Sequence, residues 1–136
     1  MDLLLEAVGS GVGDIESLAV GDLRGDLIAV SMHLAQMLGS ELIGSVAASI
    51  ILESRRDPAL DELRERLVTV RMHDVERIVD DAIVRGELRD DADSYAMATD
   101  LAAQIFMRSL ILRVPVDQTW IEEHVDRVLR LYRDES

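Results

Sequence analysis

Arg71 and Asp74 stand one helical turn apart on a stretch whose apolar residues recur at helical spacing. At about 100° per residue, both fall near the middle of the face that also carries Leu67 and Ile78. Charges on an apolar face are costly unless paired. They can form a mutual ion pair, partly solvated, or they can line an internal ligand cavity. Further along, Asp100, Gln104 and Arg108 repeat every four residues, flanked by Met97, Met107 and Ile111. That stripe is either a solvated face or a second polar wall, in which Gln104 and Arg108 point inward and the guanidinium holds a carboxylate bidentately. Met32 and Gln36 share one side of an earlier helix, where Met serves as plain core or as an adaptable lining for irregular apolar molecules. Met32, Gln36, Arg71, Asp74, Gln104, Met107 and Arg108 together have the makeup of a ligand pocket, mostly apolar with a few converging polar groups. The expected ligand is small and largely hydrophobic, with an anionic or hydrogen-bonding end facing Arg71 or Arg108.

Other chemistry finds little support. His33, His73 and His124 fall on three different helices with no i, i+4 pairing, which argues against a metal site. Cys and Lys are absent, so disulfides, thiolate ligands and lysine chemistry are excluded. No Gly-Xaa-Ser-Xaa-Gly motif occurs, and Gly9-Ser10-Gly11-Val12-Gly13 follows a helix rather than a strand, so it reads as a linker and not a phosphate loop. A small cofactor-free enzyme built on Asp74 and Arg71 is the weakest reading, and the chain is expected to be neither an enzyme nor a holder of cofactors. The 136 residues include 14 basic ones, all Arg, against 27 acidic ones, a formal charge of −13. With that balance the chain is expected not to grip duplex DNA at physiological salt. Met1-Asp2-Leu3-Leu4-Leu5-Glu6 carries acid where a signal peptide carries positive charge. The most apolar run, Leu42 to Leu52, is shorter than the ~20 residues of a membrane span. A cytoplasmic protein with no membrane partner is the expectation.

The elements that must position these residues read as helices from end to end, in one domain over residues 1–136. A short helix near Asp2 to Val8 runs into the glycine-rich linker, so that residues 1–13 form a connecting unit. Asp22 then caps a helix whose Leu23, Leu27, Val30, Leu34 and Leu38 recur at helical spacing. Ile28, Met32 and Ala35 make its other side apolar too, which places it centrally. Ser40 caps the next helix, and Asp57-Pro58 stops that one and starts a long helix to about Arg85, roughly 40 Å from end to end. Gly86 ends it. A helix from Ser94 to Leu112 closes at Arg113-Val114-Pro115, and Asp117 caps the last, which carries Ile121, Val125, Val128 and Tyr132.

The boundary motifs carry a resemblance. Asp22-Leu23-Arg24-Gly25-Asp26-Leu27 opens the central helix. Ser54-Arg55-Arg56-Asp57-Pro58-Ala59-Leu60 precedes the long one, with Leu63-Arg64-Glu65-Arg66 inside it. Arg85-Gly86-Glu87-Leu88-Arg89-Asp90-Asp91 closes it, and Arg108, Pro115 and an amphipathic final helix complete the set. This order is similar to the C-terminal ligand-binding and dimerisation domain of TetR-type (tetracycline-repressor-like) transcriptional regulators, over nearly the whole chain. Two departures touch details of shape: Ala103-Gln104 stands where many relatives have Gly-Pro, and Arg113 where they often have Gly.

The resemblance implies an all-α regulatory domain of about six helices whose last two pair across a two-fold axis into a four-helix dimer. Ala98, Ala102, Ile105 and Ser109 on one helix, and Ile121, Val125, Val128 and Tyr132 on the other, are the expected interface. It also implies a repressor controlled by a small hydrophobic effector. Operator DNA would be contacted only through an N-terminal helix-turn-helix head that this sequence does not contain, and Asp2 to Val8 would be the lever that moves the head. A free-standing helical protein-interaction module is the alternative.

Overall fold

The computed structural model describes residues 21–133, and the expected helix at Asp2 to Val8 lies outside the described residues. Five α-helices follow: α1 (Leu23–Gly39), α2 (Glu41–Glu53), α3 (Pro58–Val84), α4 (Ser94–Phe106) and α5 (Gln118–Arg133). No strand occurs among the described residues. The starts are set by side-chain caps. Asp22 accepts from Gly25 N at 2.6 Å, Ser40 from Ile43 N, Asp57 from Ala59 N at 3.0 Å, Asp93 from Ala96 N at 3.0 Å and Asp117 from Trp120 N at 2.9 Å. Each satisfies a backbone donor that the helix itself leaves open.

The helix expected to run unbroken to Leu112 changes its hydrogen-bond pattern partway. From Met107 to Leu112 it is a π-helix, ended by Arg113 in the left-handed region at φ 55. Beyond the wider turn, Val114 N donates to Arg108 O at 3.1 Å. A left-handed backbone favours glycine, so Arg113 sits in a strained position.

As expected from its two apolar sides, α1 is central and meets every other helix. Its Leu23, Leu27 and Val30 join Val75, Ile78, Val79 and Ala82 of α3, Met97, Ala98 and Leu101 of α4, and Ile121, Val125, Val128 and Leu129 of α5 in one core. The core is aliphatic, as a chain with 3% aromatic residues requires. The start of α1 is locked to the end of α3. Glu87 accepts from Leu23 N at 3.2 Å and from Arg85 Nε at 2.6 Å, while Asp26 accepts from Gly21 N at 3.2 Å. Arg24 bridges to Asp126 of α5 at 2.8 Å. The far end of α1 meets α2 at a corner of 88°, and no single described helix is long and apolar enough to cross a membrane.

Candidate functional site

On α3, Asp74 is buried at 6% exposure beside Val75 and Ile78. One turn earlier, the Arg71 guanidinium donates from Nη2 to the Met37 thioether of α1. Burial pulls the Arg71 pKa below its ordinary value, and the charge of Asp74 pulls the other way. A cation so placed gives up hydration, and the neighbouring carboxylate is what keeps that tolerable. The inner-face position expected from the periodicity is therefore where these two residues sit. Met32 is half-buried against the same core.

The remaining expected wall residues go elsewhere. Gln36, Gln104 and Met107 are exposed. Arg108 turns to the α4–α5 connection, where Nη2 donates to Pro115 O at 2.9 Å and Cζ lies 4.7 Å from the centre of the Trp120 ring. The stacking surface and the bare carbonyl of a residue before a helix start hold it there. Of the seven residues, the structure thus brings Arg71 and Asp74 together and adds Met37, which the sequence reading missed. One groove among the described residues lies outside this set. Leu42, Ser45, Val46, Ser49, Ile50 and Glu53 of α2 and Leu60 of α3 line an open space of about 290 Å³.

The stripe expected to meet a second copy is largely spent inside the protomer. Ile105, Ile121 and Val125 have no accessible surface, and Ala98 and Val128 have almost none. Only Ala102, Ser109 and Tyr132 keep part of their surface. The reason is that α5 has one narrow apolar stripe, and α1 and α4 take it. Outward on the same two helices stand Tyr95, Met107, Ile111, Leu112 and Leu131.

A residue without an assigned role, His124, proves to be the buried polar group of the α4–α5 contact, at 3% exposure. Its position between Ile121 and Val128 on the apolar stripe is the signal that could have found it. Nε2 donates to Leu101 O at 2.8 Å, since a carbonyl can only accept. Nδ1 therefore carries the lone pair, buried without a partner. The ring stacks on Trp120 at 4.8 Å between centroids, with Arg127 on the same indole. Burial lowers the His124 pKa, the Leu101 carbonyl and Asp100 oppose that, and Arg127 adds to it. A lowered folded pKa means the native state binds fewer protons than the unfolded one near this residue. Stability is then full above the ordinary histidine value of 6.5 and falls as pH drops through the lower folded value. We expect urea midpoints to fall between pH 7 and pH 5, and the fall to be smaller in His124→Phe, which keeps the stack. Equal slopes in the two proteins would refute this. His33 and His73 lie on α1 and α3, and no group of three His, Asp or Glu among the described residues is placed to hold a metal ion.

Comparison with known proteins agrees with this architecture. The family model for the tetracyclin repressor-like C-terminal domain matches residues 19–128. Uncharacterized HTH-type transcriptional regulators of Mycobacterium tuberculosis and Mycobacterium bovis are 29% identical over 110 residues, 80% of this chain and 54% of theirs. The chain spans about half the length of these curated relatives. A match over that share of the chain, on an all-helical fold with these boundaries, is decisive for kinship: this chain belongs to the tetracycline-repressor-like family, as its C-terminal domain.

Proposed function

We propose that this domain is the effector-binding and dimerising body of a non-enzymatic TetR-type transcriptional regulator acting in the cytoplasm. The observation that carries the ligand reading is the half-buried Arg71 guanidinium near the buried Asp74 on the core face of α3, against α1. Packed aliphatic side chains would stabilise that face at lower cost than two desolvated charges. A ligand's polar end is what such a pair can recognise, with Met37 and Met32 as adaptable apolar neighbours. The effector is then a small hydrophobic molecule with an anionic or hydrogen-bonding end. Operator DNA is contacted through a helix-turn-helix domain ahead of the body. A ligand that favours one arrangement of α1 and α3 changes head spacing, by no more than its differential affinity for the two states.

The test is a thermal-shift series of medium-chain and aromatic carboxylic acids. A binder at a hundred times its Kd adds about 2.7 kcal/mol, several degrees for a domain of this size. The stabilisation is expected in the wild type and in Arg108→Ala, whose guanidinium is committed to Pro115 and Trp120, and to disappear in Arg71→Ala. Acids that stabilise Arg71→Ala as well as wild type remove Arg71 as the anchor.

A further inference from the structure

With no cysteine and six methionines, every oxidisable sulfur of this chain is a thioether. Met97 has no accessible surface, Met32 and Met72 pack against the core, and Met107 stands exposed on the π-helix. Met37 differs from these. It is half-buried in the last turns of α1, beside the exposed Gln36 and Gly39, and its sulfur accepts from the Arg71 guanidinium of α3. A thioether is a weak acceptor, whereas Arg71 is a cation that burial has stripped of part of its water. The guanidinium is therefore poorly served by the atom it touches. A sulfoxide oxygen in the same place would be a strong acceptor, and a hydrogen bond from a charged donor gains most from such a partner.

We propose that Met37 is a reversible oxidation site, where peroxide converts the thioether to a sulfoxide whose oxygen takes the Arg71 hydrogen bond and tightens the contact between α1 and α3. The sulfur attacks one oxygen of hydrogen peroxide. The S–O bond forms as the O–O bond breaks, and the sulfur gives up two electrons. The departing hydroxide takes the proton of the transferred oxygen and leaves as water. Partial exposure at the end of α1 gives peroxide a route to the sulfur. The three rotatable bonds of methionine let the sulfur draw back and make room for the added oxygen. A donor is already directed at the sulfur, so the product needs no new partner. In a packed core the same modification is disruptive, since it puts a polar group among apolar ones. At Met37 the sign is reversed. Enzymatic reduction of the sulfoxide restores the thioether. The proposal stands apart from the effector reading, because each measurement that tests it is made on the ligand-free domain.

The full chain is treated with hydrogen peroxide and the oxidised sites are read by tandem mass spectrometry, which separates Met32 from Met37 within the arginine-bounded fragment Gly25–Arg55. Met37 is expected to gain one oxygen roughly tenfold faster than the inaccessible Met97. Urea unfolding of wild type and Met37→Leu, before and after the same treatment, isolates the effect on stability. Oxidation is expected to lower the unfolding constant of wild type, relative to Met37→Leu, by about fivefold, less than a full hydrogen bond to a charged group supplies. Methionine sulfoxide reductases for both epimers are expected to reverse the gain, and Arg71→Ala to abolish it. Because Arg71→Ala can itself weaken the fold, Met37→Gln gives a second arm, its amide oxygen standing in for that of the sulfoxide. The unfolding constant of Met37→Leu divided by that of Met37→Gln should be about threefold larger with Arg71 present than in Arg71→Ala. An equal ratio in the two backgrounds overturns the proposal. So does a Met37 that resists peroxide as Met97 does, a sulfoxide that destabilises the domain, or one that stabilises it equally in Arg71→Ala.

Discussion

Ile121→Ala is expected to cost the protomer about 3 kcal/mol, within the range for emptying a fully buried Ile site. Ile121 has no accessible surface in the single chain and belongs to the core that α1, α3, α4 and α5 share. Removing its outer atoms leaves a cavity in that shared core, and close-packed neighbours relax into such a space only in part. A domain of this kind has about 5–15 kcal/mol of stability in all, so a lower urea midpoint at unchanged slope will be easy to see. Leu131→Glu is the contrasting variant. Leu131 stands on the same helix at 64% exposure, and the charge meets only solvent in the protomer. Its urea midpoint at high dilution should match the wild type, while sedimentation equilibrium shows any self-association weakened. The opposite pattern, with Ile121→Ala folded as stably as wild type but no longer associating, would return the stripe to an interface between copies.

The difference between those two variants marks where the sequence was informative. Helix boundaries were legible because they are local. Asp22, Ser40, Asp57 and Asp117 each bond a backbone N–H two or three residues on, and no tertiary knowledge is needed to expect that. The central place of α1 was legible from its two apolar sides, and the inner position of Arg71 and Asp74 from their phase on α3. Which partner a helix face meets is another matter. The stripe of Ile121, Val125 and Val128 has the same pattern whether it turns toward α1 or toward a second protomer, and only the assembled fold assigns it inward. Arg108 was misleading for a similar reason. Its spacing with Gln104 pointed to one polar wall, but the attraction that decides its direction comes from Trp120 and Pro115 across a turn. The π-helical segment had no sequence signal, and it shifts the phase of everything after Phe106. The α2 groove was hidden because a strongly apolar helix reads as a buried one.

Gly44→Ala is expected to destabilise the domain by about 1–3 kcal/mol, the usual range for forcing an atom into a filled site. The sign is the informative part. In an ordinary helix interior the same change helps by about 1 kcal/mol, because alanine loses less backbone entropy on folding. Here the new Cβ would lie 2.4 Å from Leu38 O and 3.3 Å from Leu38 C. Both are backbone atoms of the last turn of α1, so no side-chain rotation relieves the clash. The corner itself is tightly held, since Ser40 N donates to Gln36 O at 3.1 Å and Gly44 N to Ser40 O at 2.8 Å. Relief therefore requires α2 to swing away from α1, which loosens Ile50 and the groove floor together. Gly39→Ala is the control. An alanine methyl at that position would have nothing within 4 Å of it, and the change should be neutral or stabilising by about 0.5 kcal/mol. Urea unfolding of the two variants side by side reads the result. If both gain stability, α1 and α2 do not meet as closely as the 88° corner requires, and the outward aim of the α2 groove falls with it.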